Sequence, residues 1–121
     1  MTLLAQILVA IVAVVHLGFL VLEMFLWKSP RGRAIFGTTA EFAQAAAPLA
    51  ANQGLYNGFL SAGLIWSLIA ADPVGFQAKV FFLVCGIVAG LYGAKTVSAR
   101  ILFLQAVPAV LALAAVLLSR A

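Results

Sequence analysis

One histidine and one glutamate stand inside an otherwise apolar run from Leu3 to Trp27: His16 and Glu23. On a helix, seven steps of 100° return to within about 20° of the start, so both side chains share a face, roughly 10 Å apart along the axis. A carboxylate at membrane depth is costly unless it is paired, hydrated or protonated. Such a pair could exchange protons, hold a cation or act as acid and base. A second cluster, Asn52, Gln53, Tyr56 and Asn57, interrupts another apolar stretch, and Gln105 interrupts a third. Gln53 and Asn57 are spaced i, i+4, as are Asn52 and Tyr56, so each pair shares a helix face. These seven residues are the candidate ligand-binding set, with His16 and Glu23 also the catalytic candidates. Asn57 and Gln105 have a plainer reading as interhelical glue, with bonds averaging about 0.6 kcal/mol.

Other chemistries find little support. A single histidine rules out a multi-histidine metal site within one chain, and the sequence implies no metal and no cofactor. Cys85, the lone cysteine, lies in an apolar run and reads as a packed, inert thiol. The net charge of +4 comes from cations scattered between apolar runs, which is membrane-flanking charge and not a nucleic-acid patch.

The elements that position these residues follow from composition. Of 121 residues, 66% are hydrophobic and 8% are charged, too few polar groups to cover a soluble globule. The expected fold is therefore all-α and polytopic: one domain over 1–121, four antiparallel transmembrane helices with short loops. Their expected ranges are about 3–27, 48–71, 76–94 and 101–118. Lys28 to Arg33, with proline, glycine and three cations, should stop the first helix. Thr38 and Glu41 fit a capping box that opens a short interfacial helix over about 39–47, with Pro48 a kink or the first turn of the next span. Asp72 to Gly75 reads as a turn, Lys79 should snorkel to the interface, and Pro108 should kink the last helix. Gly54 with Gly58, and Gly86 with Gly90 and Ala94, form small-residue stripes suited to close helix contact.

Charge sets the expected orientation. Lys28, Arg31, Arg33, Lys95 and Arg100 lie in the first and third links, against Lys79 and Arg120 on the other side. The positive-inside rule places links 28–47 and 95–100 in the cytoplasm and both termini outside the inner (plasma) membrane. Glu23, Asn52, Gln53, Tyr56, Asn57, Tyr92 and Gln105 then fall at a similar depth, a polar cavity in the cytoplasmic half with His16 at its floor. The outer half holds little that is polar beyond Ser61 and Ser67.

The stretches His16-Leu17-Gly18-Phe19-Leu20-Val21-Leu22-Glu23-Met24-Phe25-Leu26-Trp27, Pro30-Arg31-Gly32-Arg33 and Ala51-Asn52-Gln53-Gly54-Leu55-Tyr56-Asn57-Gly58-Phe59 resemble a small microbial membrane-protein family. That family is catalogued as domain of unknown function 1304. The resemblance covers essentially the whole chain. It implies a four-helix membrane protein with His16, Glu23, Asn52, Gln53 and Asn57 as hallmark positions, and it implies no activity.

Three functions fit these residues. The first is a carrier of a small or amphipathic molecule, with Glu23 the proton-coupled or cation-binding group; four helices are few for such a path, so a homodimer is expected. The second is a membrane-embedded, isomerase-like enzyme on a lipophilic substrate, with His16 and Glu23 as acid and base and Asn57 and Gln105 holding a polar head. The third is a structural or accessory subunit. Expected partners are the lipid bilayer, a small-molecule or lipid-like ligand and a second copy, with no nucleic acid.

Overall fold

The computed structural model describes residues 1–96 and 99–120; Val97 and Ser98 of the 95–100 link lie outside the described residues. The described residues form helices joined by short turns, without strands. In order they form α1 (Leu3–Met24), α2 (Pro30–Phe36), α3 (Ala40–Ile69), α4 (Val74–Thr96), α5 (Ala99–Ile101), a π-helical segment (Leu102–Ala106) and α6 (Val107–Arg120). Three stretches are long and apolar enough to cross a membrane: Leu3–Met24, Val74–Thr96 and Ala99–Arg120. At 30 residues α3 is longer than any of them. It is not one of the three, and it carries Glu41, Gln44, Asn52, Gln53 and Asn57.

Three boundaries differ from the sequence expectation, each for a local reason. The first helix stops at Met24, short of Trp27, because Pro30 holds Ser29 extended (φ −69°, ψ 157°) and the chain must turn before it. The turn is closed by the N–H groups of Phe25 and Leu26, which both donate to Val21 O. Lys28 to Arg33 does not simply end a helix; it starts α2. Pro30 sits in its first turn, Ser29 Oγ accepts from Gly32 N at 3.0 Å, and Gly37 closes it in the left-handed region (φ 68°). The interfacial helix and the second span are one element, α3. Pro48 removes one N–H, but Pro48 and Gln44 both face outward, so the break in the ladder is not buried and the helix runs on. Its cap is Thr39, not Thr38: Thr39 Oγ1 accepts from Phe42 N at 3.1 Å.

The chain divides into two compact units, 1–15 with 60–121, and 16–59. In the first, the core is Ala5, Val9, Val12, Ala13, Leu64, Leu83, Ala109, Ala112 and Val116. Ser61 Oγ donates to Ala13 O at 2.9 Å, tying α3 to α1. Gly90 lets α4 approach the π-helical segment so closely that an added Cβ would lie 2.8 Å from Ala106 N. The π turn ends two residues before Pro108, and it is the irregularity that this proline brings to the ladder in place of a sharp break. At one end of the unit, Arg120 lies over the Phe76 ring at 4.2 Å, and Thr2 and Ser119 share a hydroxyl hydrogen bond of 2.9 Å.

Lys79 does not snorkel. It is 4% exposed, on the buried stripe of α4 that runs through Gly75, Ala78, Lys79, Leu83, Gly86 and Gly90. Its Nζ donates at 2.5 Å to Ser67 O, in the last turn of α3, where carbonyls lack helical partners and a cation complements the dipole. Lys79→Met should therefore lower stability by about 1–2 kcal/mol, and Lys79→Arg by less, in urea or thermal unfolding of the detergent-solubilised protein. A melting point unchanged by Lys79→Met would show that this cap contributes nothing.

Candidate functional site

The second unit contains the C-terminal part of α1, α2 and the first part of α3. The buried stripe of α1 runs through Ala5, Val9, Val12, His16, Phe19 and Glu23, at spacings of three and four. His16 and Glu23 thus share the inward face, as the seven-residue spacing predicts. His16 is 1% exposed and Glu23 is 9% exposed. Glu23 stands one residue from the end of α1.

α3 runs antiparallel to α1 across this unit, and glycine sets the distance. A Cβ on Gly54 would lie 2.7 Å from Met24 Cγ, 3.1 Å from Glu23 Cβ and 3.2 Å from Leu20 O; one on Gly58 would lie 2.6 Å from Leu20 Cδ1. The stripe at 54 and 58 is therefore the contact face. One turn along from Gly54 it brings Asn57 to the carboxylate. Asn57 Nδ2 donates to Glu23 Oε1 at 2.6 Å, and Asn57 is 5% exposed. This distance is shorter than the usual N–H···O separation of about 2.9–3.0 Å.

The rest of the polar cluster is arranged differently. Asn52, Gln53 and Tyr56 are exposed on α3 and do not turn into the helix contact. Tyr56 instead packs edge-on against Phe59, with ring centroids 5.6 Å apart. Gln105 is buried within the π-helical segment of the other unit, and Tyr92 is exposed on α4. Of the sequence set of seven, Glu23 and Asn57 are brought together as a buried hydrogen-bonded pair.

Trp27 ties the connection after α1 to the helices that follow it. Its Nε1 donates to Ala43 O at 2.9 Å and its ring lies 5.0 Å from that of Phe36, so one side chain fastens the turn after α1 to both α2 and α3. Nothing in the spacing of Trp27 along the sequence marks this bond. Among the described residues no group of three or more histidine, cysteine, aspartate or glutamate side chains is placed to hold a metal ion.

Helices that can cross a membrane, with a buried carboxylate held by an amide, define a helical membrane protein with an internal polar pair. Over residues 10–117 the chain matches the model of the protein family of unknown function DUF1304, and it belongs to that family. The matched range includes every candidate residue from His16 to Gln105. No curated protein matches the chain, and no solved structure does.

Proposed function

We propose that this protein binds and carries a small or amphipathic molecule, with Glu23 as the proton- or cation-binding group and Asn57 as its orienting partner. The observation that carries this reading is the buried 2.6 Å bond between Asn57 Nδ2 and Glu23 Oε1. Packing alone is served as well by Gln, which offers an acceptor without an ionisable oxygen, so retaining Glu at membrane depth favours a working group. In this reading α3 is a fourth span: its 30 residues cover about 45 Å, more than the ~30 Å hydrocarbon core. Its outward Asn52, Gln53 and Tyr56 then meet the ligand or a second copy, since lipid offers such amides no partner. The cations of 28–33 face the cytoplasm. An acid–base enzyme is the second reading, because His16 and Glu23 are both buried on one face of α1.

The test is ligand-dependent stabilisation. A panel of amphipathic amines is screened by thermal unfolding against wild type and Glu23→Gln. Gln keeps an acceptor for Asn57, so the variant should fold while losing most of the stabilisation, about tenfold or more in affinity for a charge-assisted contact. Amines that stabilise both proteins equally, or none that stabilises wild type, would overturn the carrier reading.

A further inference from the structure

The connection between α1 and α3 holds a feature that neither packing nor the Glu23–Asn57 pair uses. Arg33 Nε and Thr38 Oγ1 are both buried and both lack a hydrogen-bond partner. They belong to one turn, since Thr38 N donates to Arg33 O at 3.0 Å. A buried guanidinium nitrogen and a buried hydroxyl left unmade each forfeit a bond worth making, so two in one turn call for an acceptor. The local charge gives that acceptor its sign. Residues 24–47 contain Lys28, Arg31 and Arg33 against a single acid, Glu41, and Glu41 is exposed.

Position gives its source. The turn closes α2, the short helix that follows an apolar helix long enough to span, and Trp27 lies just past the end of that apolar helix. Lipid phosphates lie at that boundary. Phosphate oxygens accept from the planar guanidinium fork and from a hydroxyl together, which a chloride ion does with poorer geometry. We infer that Arg33 and Thr38 form a binding site for the phosphate of an anionic phospholipid headgroup, with Lys28 and Arg31 supplying the surrounding positive field.

The experiment uses the full chain in neutral detergent. Phosphatidylglycerol, phosphatidylcholine and inorganic phosphate are titrated in turn, with lipid retention read by native mass spectrometry and the response near Trp27 by fluorescence. Wild type should prefer phosphatidylglycerol about fivefold or more, the scale of a single guanidinium at a membrane surface. Thr38→Val changes no charge and should cut that preference about threefold, as should Arg33→Lys, which keeps the charge but removes Nε. Arg33→Gln should abolish it. Equal retention of the two lipids overturns the inference. So does a wild-type preference in both Thr38→Val and Arg33→Lys, which would reduce the effect to diffuse surface charge. Displacement of the bound lipid by millimolar inorganic phosphate would make the ligand a free anion and overturn the lipid assignment. If Arg33→Gln does not fold, the two milder variants still decide.

Discussion

Asn57→Leu should be among the most damaging single changes in this protein, lowering unfolding free energy by about 3 kcal/mol, the upper scale of leaving a buried carboxyl acceptor without its hydrogen bond. The amide donates the 2.6 Å bond to Glu23 Oε1, and both side chains are buried. Leucine has the same reach but no donor, so the carboxylate keeps its burial and loses its partner. Two magnitudes compete here. A neutral interhelical bond in a membrane protein averages only about 0.6 kcal/mol, so a loss near that size would mean Asn57 is ordinary glue. A loss several times larger means that the carboxylate depends on the amide. A double-mutant cycle separates the cases: Glu23→Leu with Asn57→Leu should recover most of what Asn57→Leu loses, because an apolar pair leaves nothing unmade. Additive losses in the cycle, read by urea unfolding in a fixed detergent, would refute the coupling.

Much of this arrangement was legible because helical spacing is rigid. The buried stripe of α1 from Ala5 to Glu23 follows from apolar positions three and four apart, and it fixes that His16 and Glu23 face inward together. The glycines at 54 and 58 marked a close helix contact, and the structure supplies its partner, α1. The same geometry explains what the polar cluster conceals. Asn52 lies about 140° round the helix from Asn57, and Tyr56 about 100°, so the face carrying Asn57 cannot carry them. Gln53 is only about 40° from Asn57 but about 100° from Gly54, on the edge turned away from the glycine contact. Spacing of i, i+4 shows that two residues share a face, not that the face is the buried one.

Other features depend on contacts that no local pattern announces. α2 was signalled by Ser29-Pro30 at its start and Gly37 at its end, but cations and a proline in seven residues look equally like a terminator. The continuity of α3 through Pro48 depends on that residue facing outward, a property of the packing. Lys79 looked like an interfacial cation because its nearest sequence landmark is a turn. Its burial is set by the register of α4 against the last turn of α3, which brings Ser67 O to its ammonium group.

Gly90→Val should cost about 3 kcal/mol, at the upper end for overpacking, and its cause is backbone and not side chain. A Cβ at 90 would lie 2.8 Å from Ala106 N, 2.8 Å from Ala106 Cβ and 3.0 Å from Ala106 Cα. A side-chain tip can rotate away from such a contact, but the amide of Ala106 belongs to the π-helical segment and moves only if that turn rewinds. Gly18 is the control, because nothing lies within 4 Å of an added Cβ there. Helix propensity then acts alone, and Gly18→Ala should raise stability by up to about 1 kcal/mol. Adding a side chain thus carries opposite signs at these two helical glycines, readable as opposite shifts in melting temperature. A Gly90→Val protein as stable as wild type would mean that α4 and the π turn can separate without loss. The π turn also holds Gln105 buried beside Ala106, so rewinding it would turn that amide and change its hydrogen bonding. A loss at Gly90 that Gln105→Leu lessens would therefore tie the close backbone approach to the placement of this one side chain, and not to core volume.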